Sequence, residues 1–170
     1  DHNTMKLVGD KESARRLAKD NDIPLFEGSD LCTKDDLEKT KQAAKQIGYP
    51  IIIKLSAGGG GKGMYPVYSE EELESALEAS IRIGEDLYNN SNYYIEKYIE
   101  NPVHIEVQIF NGWSIGIRKC AVQRRKQKII EESGSAFLDD YLSLSLLATA
   151  EKIAHISGYK NGCGAGTVEF

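Results

Sequence analysis

The sequence predicts an α+β fold in two parts that meet near Asn101-Pro102. Three observations predict it. A glycine-rich segment, 58–63, lies between two strand-like runs, capping residues precede amphipathic stretches, and polar and apolar residues alternate after Pro102. Alternation of this kind is typical of antiparallel strands, and capped runs of 3.6-residue period are typical of helices.

The first part begins with a helix over 10–19, which is followed by an extended segment because a residue before proline avoids the helical region. Thr33 and Asp36 predict the start of a second helix that ends near Ile47, where Gly48 stops it. A strand over 51–55, the glycine hairpin and a return strand come next. A capping box, Ser69 with Glu72, then opens a helix to about residue 83, before a strand over 93–98.

The second part is predicted to hold a strand over 104–109, with His104, Glu106 and Gln108 on one polar face. Further strands are expected over 113–117 and 119–124, joined by short turns, and a final strand over 167–170. A helix over 138–157 would bury the apolar residues Leu142, Leu146, Leu147, Ala150, Ile153 and Ala154. The predicted divisions are 1–29, a linker and helix, 30–99, a small lid, and 100–170. A strand at the very end of the chain indicates a piece of a longer protein.

Composition excludes several classes of protein. The 170 residues, 41% hydrophobic and 28% charged, are ordinary for a soluble globular protein, and the net charge of −5 argues against a general nucleic-acid binder. Neither a bilayer-spanning stretch nor a signal peptide is evident. Cys32, Cys120 and Cys163 are widely spaced without a Cys-x-x-Cys pair, so reduced thiols in a cytoplasmic protein are expected and a zinc site is not.

The glycine hairpin is the strongest functional signal. Lys54 ends an apolar strand immediately before it, and glycine amides beside a lysine suit a polyphosphate. Gly58, Gly60 and Gly63 match the dinucleotide pattern G-x-G-x-x-G, but a strand containing Pro66 follows where that pattern needs a helix. A dinucleotide dehydrogenase is therefore set aside. The alternative to a phosphate-binding hairpin is a flexible glycine-rich linker.

Four other features admit two interpretations each. Glu96 and Lys97 form either a hinge for a purine or a solvated pair, and the face of His104 is either a cleft wall or an ordinary solvent face. The basic run 123–128 either is solvated or places Lys128 against phosphates. Glu169 is either a rim residue or a magnesium ligand.

Taken together, the motifs resemble the ATP-grasp module of biotin carboxylases over almost the whole chain. The resemblance is carried by Val8-Gly9-Asp10-Lys11, Ile47-Gly48-Tyr49-Pro50 with Ile53-Lys54, the segment 57–64, Glu96-Lys97-Tyr98-Ile99-Glu100-Asn101-Pro102, His104-Ile105-Glu106-Val107-Gln108, the segments 123–125 and 127–132, and the segment 164–170. It implies an ATP-grasp fold, with a lid (B) subdomain and the start of the C-terminal lobe. It also implies an ATP-dependent ligase that uses MgATP (or Mn²⁺) and bicarbonate to carboxylate biotin on a carrier protein.

The resemblance further implies roles for individual residues. Lys11 and Lys54 would contact phosphates beneath a cover of hairpin glycines, Met64 would line the adenine pocket, and Lys128 would be the catalytic residue facing phosphate and bicarbonate. Glu169 would bind the metal ion. Glu96, with the backbone of Lys97 and Ile99, would hold the adenine. His104 and Gln123 would approach the ribose and nearby groups. The hairpin glycines implied as contacts are Gly59, Gly60, Gly61 and Gly63.

Departures from the family pattern accompany the resemblance. Lys126 stands where the family has His, Arg118-Lys119-Cys120 stands where it commonly has Glu-Arg-Asp-Cys, so an acidic pair is lost, and Ser133-Gly134 replaces Ala-Pro. Urea carboxylase, pyruvate carboxylase, carbamoyl-phosphate synthetase and a nucleotide-binding module without turnover stay open as alternatives. A carboxyltransferase partner, a homodimer, and a cytoplasmic or mitochondrial-matrix location are expected of the intact enzyme. The isolated chain is not expected to complete carboxylation.

Overall fold

The computed structural model describes residues 2–58, 63–124, 127–134, 136–159 and 164–170. The chain divides into two compact units. Residues 26–101 form the glycine-loop unit, and residues 1–25 with 102–170 form the four-strand unit. The α+β class is confirmed, while the predicted divisions at 29/30 and 99/100 stay predictions.

The glycine-loop unit is a three-stranded antiparallel sheet with two helices. Its strands are β1 (Ile51–Leu55), β2 (Met64–Val67) and β3 (Tyr93–Lys97), in the order β2-β1-β3. The helices are α3 (Leu37–Ile47) and α4 (Glu70–Tyr88). The predicted strands on both sides of the glycine segment are confirmed.

The core of this unit lies on one face of the sheet. Ile51, Ile53 and Leu55 alternate along β1 and pack with Leu73 and Leu77 of α4. Alternation sends the residues between them to the opposite face, because successive side chains of a strand point to opposite sides. Lys54 therefore faces away from the helices.

Helix α4 differs from its predicted form at both ends. It continues past Ile83 to Tyr88. Gly84 lies within it and permits a close approach of the chain, because a Cβ there would lie 2.6 Å from the carbonyl oxygen of Asn90. At its start, Ser69 is the N-cap, but its side chain makes no capping hydrogen bond. Of the two hydrogen bonds of a capping box, the one to the Ser69 side chain is absent. The one to Glu72 forms, but its donor is the backbone N–H of Tyr68, over 2.9 Å, instead of that of Ser69.

The four-strand unit contains an antiparallel sheet in the order β6-β5-β4-β7. Its strands are β4 (Ile105–Phe110), β5 (Trp113–Arg124), β6 (Gln127–Ser133) and β7 (Ala165–Glu169). The helices of this unit are α1 (His2–Gly9), α2 (Lys11–Asp20) and α5 (Asp140–Ile156). The core consists of Ile105, Val107 and Ile109 of β4 packed with Ala150 and Ala154 of α5.

Two expectations for this unit were wrong. The segments 113–117 and 119–124 form one strand, β5, because irregularities in its pairing with β4 and β6 absorb extra residues that would otherwise require a turn. Leu142 is exposed rather than buried, since it lies in the first turn of α5, ahead of the turns that pack on the sheet.

The turn between β4 and β5 is short. Asn111 and Gly112 have φ values of 49° and 89°, the left-handed conformation that tight hairpins favour.

Among the described residues, no helix is both long enough and apolar enough to span a membrane.

Candidate functional site

One face of the glycine-loop sheet collects three of the predicted nucleotide contacts. Lys54 pairs with Met64 across β1 and β2, and Ile52 pairs with Glu96 across β1 and β3. Because Ile52 and Lys54 lie two residues apart on β1, Lys54, Met64 and Glu96 share the face opposite α3 and α4. The sheet register thus brings these residues together beside the start of the glycine segment.

An ion pair organises this face. The ammonium of Lys54 donates a hydrogen bond to Oε2 of Glu96, whose side chain is only 6% exposed. Removing a carboxylate from water is costly unless a cation and hydrogen bonds compensate for it. The Glu96 carboxylate, expected to contact the purine, is therefore also a partner of Lys54.

Lys97 and Ile99 lie at the end of this face. The backbone N–H of Lys97 donates to the carbonyl oxygen of Glu27 over 2.8 Å, and its ammonium donates to the carbonyl oxygens of Gly48 (2.9 Å) and Tyr49 (3.2 Å). A backbone contact from Lys97 to a purine would consequently use its carbonyl group. Ile99 follows β3 and is exposed.

The end of the glycine segment requires glycine. Gly63 has φ +71°, and a Cβ there would lie 2.3 Å from Cδ1 of Leu55. A side chain at this position would clash with the core and strain the backbone. The predicted contacts Gly59, Gly60 and Gly61 fall outside the described residues.

The second group of predicted site residues lies on one face of the four-strand sheet. Glu106 of β4 is directly opposite Arg118 of β5 on one side and Glu169 of β7 on the other. Gln108, two residues further along β4, is opposite Gly116 and Thr167. This polar face is opposite to the face that packs against α5, and its residues were widely separated in sequence.

Glu106 is the centre of the polar face. Its carboxylate, 1% exposed, accepts a hydrogen bond of 2.9 Å from Nη2 of Arg118 and another from the ammonium of Lys128. His104 Nε2 lies 3.7 Å from Oε1 of Glu106. An ordinary solvent face, one of the two interpretations of this strand, is thus excluded for Glu106: burial of a carboxylate requires the cations around it.

Lys128 joins Glu106 to the exposed end of β7. Its ammonium lies 2.7 Å from Oε1 of Glu169, whose side chain is 60% exposed. His104 Nε2 lies 3.8 Å from the same oxygen. Lys128 and Glu169, predicted to serve phosphate and metal respectively, are therefore adjacent, and both stand beside His104.

Arg118 and Glu131 belong to the same cluster, and the sequence analysis gave neither of them a role. Arg118 Nη1 donates to Oε1 of Gln108 over 2.6 Å, and Nε lies 3.0 Å from Oε2 of Glu131 without hydrogen-bond alignment. Neither strand alone marks them, because Arg118 is followed directly by Lys119 on β5 and Glu131 by Glu132 on β6. Arg118 holds Glu106 and Gln108 in place.

Cys120 and Gln123 complete the polar face next to His104. Gln123 Nε2 lies 2.8 Å from Nδ1 of His104, so the two predicted ribose contacts are hydrogen-bonded to each other. Cys120 is buried, and this burial, together with the carboxylates of Glu131 and Glu169, raises the pKa of its thiol. The thiol is accordingly held in its neutral form.

Lys11 lies in the first turn of α2 and is exposed. Asp10 caps that helix by accepting a hydrogen bond of 2.7 Å from the backbone N–H of Ser13. The predicted phosphate role of Lys11 stays a prediction.

Two of the departures from the family pattern are Lys119, next to Cys120, and Lys126. Lys119 is on the α5 face of the sheet, opposite Ile105, with its ammonium 5.0 Å from the centre of the Phe137 ring. Lys119, which stands in place of the aspartate of the family pattern, therefore lies away from the polar face that holds Glu106. Lys126 falls outside the described residues.

Comparison with known proteins shows which family the chain belongs to. The model of the family "Carbamoyl-phosphate synthase L chain, ATP binding domain" matches residues 10–170. The chain is 39% identical over 171 residues to a biotin carboxylase of Haemophilus influenzae, covering 98% of this chain and 38% of that protein. It thus spans little more than a third of that relative's length.

Solved structures give the same result. A biotin carboxylase from Campylobacter jejuni, crystallised as a β-γ-ATP complex, superposes with a TM-score of 0.90 at 41% identity, covering 99% of this chain and 38% of that one. The biotin carboxylase domain of the Hydrogenobacter thermophilus 2-oxoglutarate carboxylase, a dimer with MgADP, ADP and bicarbonate, gives a TM-score of 0.86 at 38% identity, with 97% and 37% coverage. The predicted ATP-grasp fold and the resemblance to biotin carboxylases are confirmed.

Proposed function

Since the chain belongs to the carbamoyl-phosphate synthase L chain ATP-binding domain family, we propose that it binds MgATP as part of a biotin carboxylase. In that reaction, ATP activates bicarbonate, and the carboxyl group passes to biotin on a carrier protein. The observation that carries the proposal is the polar face of the four-strand unit, where Lys128 lies between Glu106 and Glu169. The Campylobacter and Hydrogenobacter relatives, crystallised with nucleotides, support it.

The glycine-loop unit would bind the nucleotide through its polar face. Lys54 would contact phosphate oxygens, and Met64 would contact the adenine. Glu96, already bonded to Lys54, would fix the direction of the ammonium, while Lys97 and Ile99 would offer backbone groups to the purine edge. Gly63, with the glycines before it, would let backbone amides approach the phosphates, because no side chain intervenes. Lys11 would add a further phosphate contact.

The four-strand unit would supply the charged groups of the reaction. The ammonium of Lys128 would bind anionic oxygens of phosphate and bicarbonate, and such charge-assisted contacts stabilise phosphoryl transfer. Lys128 would give up its hydrogen bond to the exposed Glu169 and form one to the ligand instead. Its hydrogen bond to the buried Glu106 would remain and hold the ammonium in place. His104 and Gln123 would contact the ribose as a hydrogen-bonded pair.

Magnesium, or manganese, fits Glu169. Both ions prefer carboxylate oxygens, and the Glu169 carboxylate is exposed and already faces a cation, Lys128. Glu169 would be one of the ligands, the bound phosphates supplying others. When bound, the ion would neutralise charge that develops on the transferring phosphoryl group.

The wider setting follows from the same proposal. A biotin carrier protein and a carboxyltransferase would act with the intact enzyme, in the cytoplasm or the mitochondrial matrix, and the enzyme would form a homodimer. The final acceptor would be acetyl-CoA, as in fatty acid synthesis, or propionyl-CoA, pyruvate or urea. Enzymes for each of these share this module, so the acceptor is set by the partner.

Calorimetric titration of the chain with ATP in excess Mg²⁺ tests the proposal. We expect one nucleotide per chain, and we expect Lys54→Met and Lys128→Met each to weaken binding by about tenfold or more, as loss of a charge-assisted hydrogen bond of ~1.5–3 kcal/mol requires. The matched control is Lys45→Met, which removes a lysine whose partner is the surface carboxylate of Glu70. Equal affinities in the Lys54→Met, Lys128→Met and control variants would contradict the proposal.

A further inference from the structure

Three ligands suited to a transition metal meet on the polar face of the four-strand unit. They are His104, Glu106 and Cys120, each contributing one donor atom, and these atoms lie within 4.8 Å of one another. The sequence predicted no zinc site because it lacks a Cys-x-x-Cys pair. The three residues come together through the pairing of β5 with β4, which spacing in the sequence does not show.

The backbone fixes this cluster. The N–H of Cys120 donates to the carbonyl oxygen of His104 over 2.9 Å, which places Cys120, inside β5, next to His104, which directly precedes β4. Glu106 lies two residues beyond His104 on the same face. Cys120 and Glu106 are buried and His104 is half-buried, so all three have restricted freedom.

We propose that His104, Glu106 and Cys120 bind a thiophilic divalent cation such as Zn²⁺, in competition with the ammonium of Lys128. Imidazole, carboxylate and thiolate are the ligands that zinc uses in proteins. Zinc–ligand bonds of ~2.0–2.3 Å place tetrahedral donor atoms about 3.3–3.6 Å apart. His104 Nε2 and Glu106 Oε1, at 3.7 Å, already have nearly that separation.

Charge is conserved in this exchange. The cation accepts electron pairs from His104 Nε2, Glu106 Oε1 and the Cys120 sulfur, whose proton leaves to solvent. Lys128, whose side chain is partly exposed, moves its ammonium from Glu106 into water. A dication with a thiolate replaces a monocation with a neutral thiol, so the net charge beside Arg118 and Glu169 is unchanged.

Gln123 supports the metal-bound form. A histidine that binds a metal commonly hydrogen-bonds through its other ring nitrogen, which fixes the ring. Gln123 occupies that position, 2.8 Å from Nδ1 of His104. With metal on Nε2, Nδ1 carries the proton, and rotation of the Gln123 amide lets its oxygen accept the hydrogen bond. Metal binding and the proposed phosphate role of Lys128 would exclude each other.

Titration of the purified chain with Co²⁺, followed by Zn²⁺, tests the site. All variants carry Cys163→Ser, so that a thiolate at position 163 cannot contribute to the cobalt charge-transfer band. We expect one Co²⁺ per chain with a thiolate-to-cobalt charge-transfer band that Zn²⁺ abolishes. Cys120→Ser is expected to lose the band, and the control Cys32→Ser, in the glycine-loop unit, is expected to keep it.

Three further variants separate a metal site from a merely structural cluster. Lys128→Met removes the competing ammonium and is expected to bind Zn²⁺ more tightly, whereas Gln123→Ala is expected to bind it about 10- to 100-fold more weakly. His104→Gln, with every thiol of the reference protein intact, should also weaken binding, which guards against a misfolded Cys120→Ser. A charge-transfer band that persists in Cys120→Ser, or weaker binding by Lys128→Met, would overturn the proposal. Neither measurement depends on nucleotide.

Discussion

At the scale of single residues, the two lysines proposed to meet phosphate share a design. Lys54 is held by Glu96, and Lys128 is held by Glu106 and Glu169. A long lysine side chain loses rotamer entropy when it is ordered, and a buried carboxylate imposes that order before a ligand arrives. The two buried partners, Glu96 and Glu106, would thus act as positioning residues.

Glu96→Gln tests this point in the glycine-loop unit. The amide keeps the shape of the side chain but removes its charge, leaving the ammonium of Lys54 partly buried beside a neutral group. We expect a loss of stability of about 1–3 kcal/mol in urea denaturation. In a double-mutant cycle with Lys54→Met, the two effects should fall short of additivity.

The control for Glu96→Gln is Glu70→Gln. Glu70 and Lys45 are 2.8 Å apart but both well exposed, so this change should cost less than about 1 kcal/mol. If Glu96→Gln cost no more than Glu70→Gln, the buried pair would not be an organising contact.

At the scale of elements, a single carboxylate links α5 to β5. Glu151 Oε1 accepts hydrogen bonds from the hydroxyl of Ser114 over 2.6 Å and from its backbone N–H over 3.0 Å. The Ser114 hydroxyl, followed by its backbone N–H, lowers the pKa of Glu151 below its ordinary value of 4.5. The ionised form is therefore favoured in the folded protein.

This shift gives a pH dependence of definite sign. A carboxyl group with a depressed folded-state pKa stabilises the protein above its unfolded pKa, and the contribution is lost as the pH falls through the folded value. We expect Glu151→Gln to lower the melting temperature at neutral pH, and the difference from the parent to shrink well below pH 4.5. Ser114→Ala, which keeps the backbone donor, should show a smaller effect of the same form. A difference that is the same at neutral and acidic pH would contradict this assignment.

Most elements were predictable because their signals are local. The core strand 51–55 is continuously apolar up to Lys54, and Gly48 ends the helix before it. The failures have tertiary causes. The helix predicted to end near residue 83 continues through Gly84, which admits the Asn90 carbonyl, and the irregular pairing that makes β5 one strand is not visible in its sequence.

The motif resemblance names candidate site residues one by one, among them Lys54, Glu96, Lys128 and Glu169, and their roles stay predictions. Roles of single residues do not show that a carboxylate and an ammonium group bind each other, so the ion pairs were not predicted. Arg118 and Cys120 were missed as site residues because their position depends on the register of β5 against β4. Register belongs to the pair of strands, and the shift between Gln108 and Ile109 moves it in a way that neither strand shows alone.

At the scale of the whole molecule, the described residues contain two separate buried clusters. One includes Ile53 and lies within the glycine-loop unit, and the other includes Val107 and lies within the four-strand unit. Neither cluster takes residues from the other unit. Packing loss in one core should therefore act first on its own unit.

Amide hydrogen exchange of Ile53→Ala and Val107→Ala measures this separation. Loss of a large buried aliphatic side chain costs about 2–5 kcal/mol, so Ile53→Ala should speed exchange strongly in β1 and β3 while β4 and β5 keep their protection. Val107→Ala should show the reverse pattern with a smaller magnitude. Uniform acceleration of both units by either change would mean that they unfold as one.

The irregularity in β5 has a consequence for how this protein tolerates insertions and deletions. Gln108 pairs with Gly116 and Ile109 with Ser114, so Ile115 is an extra residue opposite β4, and its side chain is 65% exposed. Without Ile115, Ser114 and Gly116 would be consecutive and would pair with the consecutive residues Ile109 and Gln108 of β4. The ladder would become regular, and Arg118 would stay opposite Glu106 on the polar face. The bulge is thus the position at which β5 can lose one residue without turning its charged side chains away from β4.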